Sequence, residues 1–163
     1  MILEFENTIS IARPPDEVFA YMTTPSNWPH YAPGMVAATQ LDDGPMQAGT
    51  QMLIKIGTLG TLVEIKVQFD EFEPSRFFAS RNIDDPKVFT LNRTTLTPEG
   101  DGTRVHRWAS IEPRSFFVHL SAPLIRAAVS RNNRREFQNL KTILEGGPDA
   151  LGPRRDPLAV APG

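Results

Sequence analysis

The chain has 163 residues, 40% hydrophobic and 22% charged, which suits one domain with a full-sized core. Cysteine is absent, and this excludes a disulfide framework, a thiolate zinc site and a cysteine nucleophile. The net charge of −2 hides an asymmetry: residues 1–99 carry 7 Lys/Arg against 13 Asp/Glu, and residues 100–163 carry 10 against 6. The acidic overall balance argues against general nucleic-acid binding. The opening Met1-Ile2-Leu3-Glu4-Phe5-Glu6 has no basic region followed by a long apolar run, so no secretory signal is expected. No stretch is long enough to span a membrane, and a cytoplasmic location is expected.

In chain order, Leu3, Phe5, Ile9 and Ile11 share a parity, as in a half-buried strand. Pro14-Pro15-Asp16-Glu17 then reads as a helix start: proline suits the first turn, and the acids favour the positive helix end. Val18, Phe19 and Met22 supply a short apolar face, and Thr24-Pro25-Ser26-Asn27 ends that helix and opens another short one. The Trp28-to-Gly34 segment, rich in aromatics and proline, predicts a shaped loop or single turn.

Strand signals dominate from 35 to 112. Met52, Ile54 and Ile56 share one face, Gly57-Thr58-Leu59-Gly60 makes a hairpin turn, and Val63, Ile65, Val67 and Phe69 form the clearest run of period two. Further strands are expected over Phe77 to Asn82, Val88 to Thr97 and Thr103 to Glu112. From 115 to 145, Phe117, Leu120, Leu124, Val129, Phe137, Leu140 and Leu144 recur at helical spacing among arginines, with a kink or a break into two helices expected at Pro123. Gly146-Gly147-Pro148 stops the helix, and residues 147–163 are expected to be a disordered tail behind a single domain of residues 1–146.

Several local signatures recur in a telling order: Arg13-Pro14-Pro15-Asp16-Glu17-Val18-Phe19, Trp28, Gly49-Thr50, Phe72-Glu73-Pro74, Leu96-Thr97-Pro98-Glu99-Gly100-Asp101-Gly102-Thr103, and Asn139-Leu140-Lys141 with Leu144-Glu145. Together they resemble the START-like superfamily, in particular its polyketide cyclase/dehydrase and lipid-transport branch in bacteria. The resemblance implies an α+β helix-grip fold (START/Bet v 1-like). In it, a seven-stranded antiparallel curved sheet surrounds a long C-terminal helix, with two short helices after strand 1 and a hydrophobic cavity between helix and sheet. Activities in the superfamily are diverse, so the fold is better specified than the function.

The candidate site residues follow from this frame. Trp28, His30 and Tyr31 fall near the expected cavity mouth and offer an apolar wall with polar tips, although Trp28 would equally fill the core. His30 is the one histidine placed to act as a general base, but no catalytic residue is assigned. The three histidines are scattered, so no metal site is expected, and no cofactor motif occurs. In the last strand, Val105, Arg107, Ala109 and Ile111 share one parity and His106, Trp108 and Ser110 the other; which of them faces inward stays open. If the first does, Arg107 enters the cavity and needs a carboxylate, a carbonyl or a polar ligand, because an unpaired buried charge is costly. Arg93 poses the same question. On the helix, Phe117, Leu120, Leu124 and Ala128 are expected to face the sheet and line the cavity.

Three functions fit. The first is binding of a hydrophobic small molecule (a lipid, polyketide or quinone-like compound), without nucleic acid or stable membrane insertion. The second is a polyketide cyclase or dehydratase. The third is a module whose basic helix docks an acidic partner. Oligomeric state is not legible.

Overall fold

A computed structural model describes residues 1–58, 60–116, 120–147 and 149–152. Seven strands, β1 (Leu3–Ile11), β2 (Met35–Gln40), β3 (Gln51–Thr58), β4 (Thr61–Glu73), β5 (Phe77–Asn82), β6 (Val88–Glu99) and β7 (Gly102–Pro113), form one antiparallel sheet in the order β1-β7-β6-β5-β4-β3-β2. Helices α1 (Pro15–Met22) and α2 (Trp28–Tyr31), separated by a 3-10 turn at Pro25–Asn27, follow β1. The long helix α3 (Ala122–Gly146) closes the fold. The expected order of elements is therefore present, and with it the helix-grip architecture.

Pro15, Asp16 and Glu17 occupy the first turn of α1, and Thr23 ends it: both its N–H and its Oγ1 donate to the Phe19 carbonyl. The expected interruption near Pro123 is a break rather than a kink. A turn residue, Ser121, precedes α3, and Pro123 lies in the new helix's first turn, where its missing N–H breaks no bond. The tail expected from 147 falls largely on residues 153–163, outside the described residues.

The register resolves the open parity. Leu3, Phe5, Ile9 and Ile11 pair with Ile111, Ala109, Val105 and Thr103, and Asn7 pairs with Arg107. Asn7 Nδ2 donates to the Asn133 carbonyl of α3 at 3.0 Å, so this parity faces the helix. Across the sheet it continues through Thr94 and Leu96, Phe78 and Ser80, Val67 and Phe69, and Met52 and Ile54. A register shift between Phe69 and Glu71 lets Phe72 join the same face, opposite Phe78, and send Glu71 outward.

The buried residues on this face fall into two clusters. The larger joins α1, α2 and the C-terminal half of α3 to the sheet through Val18, Phe19, Met22, Phe69, Phe137 and Leu140. Phe19, Phe69, Phe72 and Phe78 meet in tilted and edge-to-face contacts with centroids 5.2–6.2 Å apart. The smaller joins Leu3, Phe5 and Ala109 to Ala122, with Ile125 and Val129 against them. Lashings at the helix end hold it to β1: Arg13 Nε donates to the Leu144 carbonyl, Lys141 Nζ to the Ser10 carbonyl, and the Ala12 N–H to Glu145 Oε1. That last bond, then Lys141, hold the Glu145 carboxyl below the usual carboxylate range.

Gly102 sits where β7 begins, against the end of β1. A Cβ there would lie 2.5 Å from the Ile11 carbonyl oxygen, so one strand would have to move. Gly102→Ala is expected to lower stability by about 1–3 kcal/mol, read as a lower denaturation midpoint at unchanged slope.

Candidate functional site

The two apolar clusters are separated by a polar layer. Along β7 it lies between Val105 and Ala109, along β1 between Ile9 and Phe5, and along α3 between Phe137 and Val129. Its centre is Arg107. Nη1 donates to Glu136 Oε1 at 2.7 Å, Nε donates to Thr94 Oγ1 at 3.2 Å, and the guanidinium lies over the Phe137 ring, 4.9 Å from its centroid. Only 13% of the arginine side chain and 17% of the glutamate side chain remain accessible. Burial pushes the Arg107 pKa down, but the charge and hydrogen bond of Glu136 outweigh it, and the net shift is upward: the cation is held. Asn7 and Asn133 extend the layer on the β1 side.

Tyr31 approaches from α2. It is buried, its ring lies 5.9 Å from that of Tyr21, and its carbonyl accepts a 3.0 Å hydrogen bond from Asn139 Nδ2 of α3. Burial raises the pKa of its hydroxyl far above the ordinary value; Glu136 and Tyr21 raise it further, and Arg107 opposes them. Arginine, glutamate and a neutral phenol therefore share one electrostatic neighbourhood.

Beyond this layer the inward face of the sheet is incompletely covered. Helix α3 packs chiefly on β1 and α2 rather than across the sheet's middle. Ile54, Ile65, Val67, Val88, Thr90 and Asn92 are only half-buried, and Val63 is exposed. By helical periodicity Ala128, Asn132 and Asn139 fall on one flank of α3, and Asn139 shows that this flank looks towards α2. Part of the inner apolar face of the sheet is therefore accessible to solvent.

The remaining expected site residues are placed as follows. Trp28 is buried, its Nε1 donates to the Met22 carbonyl at 2.7 Å, and its ring packs on Phe69 with centroids 6.1 Å apart, so it braces α2 from inside the core. His30 is half-buried on α2. Arg93 points to the opposite face of the sheet from Thr94, stacks over Phe77 and meets Glu71 at 3.4 Å. His106 and Trp108 share that outer face, paired with Thr8 and Glu6. Leu120 and Leu124 are corrected: they are 76% and 77% exposed, and Ala122, Ile125 and Val129 meet the sheet instead. Ser121 is a turn residue and α3 starts after it at Ala122, so spacing counted from Phe117 does not carry into the helix. Phe117 itself lies outside the described residues.

Glu136, Thr94, Asn7 and Asn133 were not anticipated. A signal for Glu136 was present: it is the only acidic residue between Arg114 and Lys141. Among the described residues no group of three or more His, Asp or Glu is placed to hold a metal ion. A surface pocket of ≈ 350 Å³ lies elsewhere, between the end of β1, the β6–β7 turn and the end of α3, but Lys141, Glu145 and Glu99 at its rim are engaged in the lashings and hydrogen bonds that join those elements.

Two consequences are measurable. Glu136→Leu strands a nearly buried guanidinium and is expected to cost about 2–4 kcal/mol, whereas Arg107→Met combined with Glu136→Leu recovers most of that loss. Chemical denaturation of the three proteins checks this; equal losses in the single and double variants would show that packing, not charge, holds the layer together. Tyr31 predicts an alkaline effect. Its folded pKa lies above the unfolded value of 10.0, so above about pH 10 the unfolded chain releases a proton that the folded chain keeps. Stability should be intact below that pH and fall above it, and Tyr31→Phe should flatten the decline.

The fold has well-matched counterparts. Zhui aromatase/cyclase from Streptomyces sp. R1128 superposes with a TM-score of 0.77 at 17% identity, covering 93% of this chain and 99% of that one. The protein TTHA0849 from Thermus thermophilus gives 0.75 at 16% identity, covering 88% and 97%. A START superfamily protein from Mycobacterium smegmatis gives 0.72 at 11% identity, covering 87% and 97%. At these identities the likeness is one of fold. No curated protein matches by sequence. The family described as polyketide cyclase / dehydrase and lipid transport matches residues 3–145. With the helix-grip sheet and nearly the whole chain accounted for, the protein belongs to the polyketide cyclase/dehydrase and lipid-transport family of START-like proteins.

Proposed function

We propose that this protein binds a hydrophobic small molecule bearing at least one polar oxygen, in the groove between the inner face of the sheet and α3. The binding unit is residues 1–146. The observation that carries the reading is the junction of an apolar, half-open sheet face with one nearly buried cation that is already neutralised by Glu136. Apolar contact along Ile54, Ile65 and Val67 supplies affinity at about 25 cal/mol per Å2 before the costs of association. Arg107 supplies orientation, since a carbonyl or carboxylate oxygen reaching the accessible part of its guanidinium gains a charge-assisted hydrogen bond. The ligand class is a lipid, polyketide or quinone-like compound.

A second reading, a polyketide cyclase or dehydratase, draws on the same neighbourhood: the Arg107 cation, whose charge also acts on Tyr31, would stabilise an enolate oxygen. His106 lies on the outer face of the sheet, so it does not stand in the groove as a general base.

Native mass spectrometry of freshly purified protein, followed by denaturing extraction, is expected to reveal a discrete hydrophobic adduct. The Arg107→Met/Glu136→Leu protein should then bind the oxygen-bearing compound at least about tenfold more weakly while holding a hydrocarbon of the same size equally well. Equal binding of both compounds by both proteins would reject the orienting role. Conversion of a poly-β-ketone by the wild-type protein alone would move the conclusion to the second reading.

A further inference from the structure

We infer that the outward face of α3, with the exposed Phe116 and Leu120 ahead of it, docks on an anionic lipid bilayer. The charge pattern is the first observation. Arg114, Arg126, Arg131, Arg134 and Arg135 fall in a stretch that holds no acidic residue, while the rest of the chain is net acidic. The one acid that follows closely, Glu136, is turned inward to Arg107.

The pairing pattern is the second. Arg13, Arg76, Arg81, Arg93, Arg104 and Arg107 each have a carboxylate partner. Among the described residues, Arg131, Arg134 and Arg135 have none, and Arg126 lies instead over the Phe5 ring, 6.0 Å from its centroid. Arg131, Arg134 and Arg135 are all exposed. Leu124, Ala127, Arg131 and Arg134 recur at helical spacing on one side, all exposed, with Arg135 beside them. The opposite side is committed to the core through Ala122, Ile125, Val129 and Leu140.

The third is apolar exposure at the entry of the helix. Phe116, Leu120 and Leu124 are 76%, 76% and 77% exposed, well beyond the other large apolar side chains that reach the surface. Arginines beside exposed Phe and Leu match the two layers of a bilayer surface: guanidinium groups meet lipid phosphates, and the apolar side chains enter the boundary of the acyl chains. An acidic protein would satisfy the arginines but leave the exposed Leu120 and Leu124 uncovered. No helix among the described residues is long and apolar enough to cross a membrane, so the helix lies on the surface. The net acidic remainder orients the molecule with α3 towards the lipid.

Flotation with phosphatidylcholine vesicles, with and without about one-third phosphatidylglycerol, tests the inference. The protein is expected to float with the anionic vesicles, to stay behind with the neutral ones, and to be released as salt rises from about 0.05 M to about 0.5 M. Arg131→Gln/Arg134→Gln/Arg135→Gln should weaken vesicle binding on the order of 100-fold. Leu120→Asp/Leu124→Asp should also abolish flotation; because these side chains are solvent-exposed, both variants should keep the thermal midpoint of the wild type. Failure to float with anionic vesicles overturns the inference. So does binding to polyglutamate that matches vesicle binding and is unaffected by the leucine changes, which would identify an acidic protein as the partner.

Discussion

One buried ion pair sets the terms for the rest of the molecule. Arg107 and Glu136 stand 2.7 Å apart between two apolar clusters, and each would be costly to bury without the other. Their contact fixes the height and rotation of α3 over β7. Together with the Asn7–Asn133 bond it allows one lateral position of the helix along β1. A helix held only by leucine and phenylalanine could slide or rotate by a residue at small cost; a charged pair with a single partner on each side cannot. The polar layer therefore specifies the packing, while the apolar layers on either side supply most of its stability.

The same constraint leaves part of the sheet's inner face accessible. Because α3 is tied to β1 and β7 at one edge of the sheet, the stretches of β3 and β4 around Ile54, Ile65 and Val63 are only partly covered, while Met52 and Phe69 on the same strands are buried. Tyr31 and Asn139 bridge α2 to α3. The binding role proposed for this protein rests on that accessible apolar face lying beside one polar layer.

Much of this architecture was legible in the sequence, and the exceptions have physical reasons. Period-two runs such as Val63 to Phe69 and the Pro-Pro-Asp-Glu helix start are local signals, and the strands and α1 stand where those signals put them. The orientation of β7 was not legible, because Arg107 and Val105 share one parity with His106 and Trp108 on the other, and only pairing with β1 decides between them. Leu120 and Leu124 misled for a related reason. Their spacing fits a helix face, but the break at Ser121 resets the phase, and hydrophobic periodicity across a break carries no information about which side meets the sheet. Glu136 is the partner that chemistry demanded for Arg107, and only the three-dimensional register could choose it.

The pairing of β1 with β7 also shapes how the chain must be made. Leu3 finds Ile111 and Ile11 finds Thr103, so the first strand waits at the sheet's edge until the last has been synthesised. Until then Leu3, Phe5, Ile9 and Ile11 form an alternating apolar ribbon with no partner, and the meander from β2 to β6 can assemble hairpin by hairpin ahead of it. The final strand is thus a clasp that joins both ends of the chain. Until it closes, the nascent chain presents an unpaired edge, the period in which aggregation competes most directly with folding.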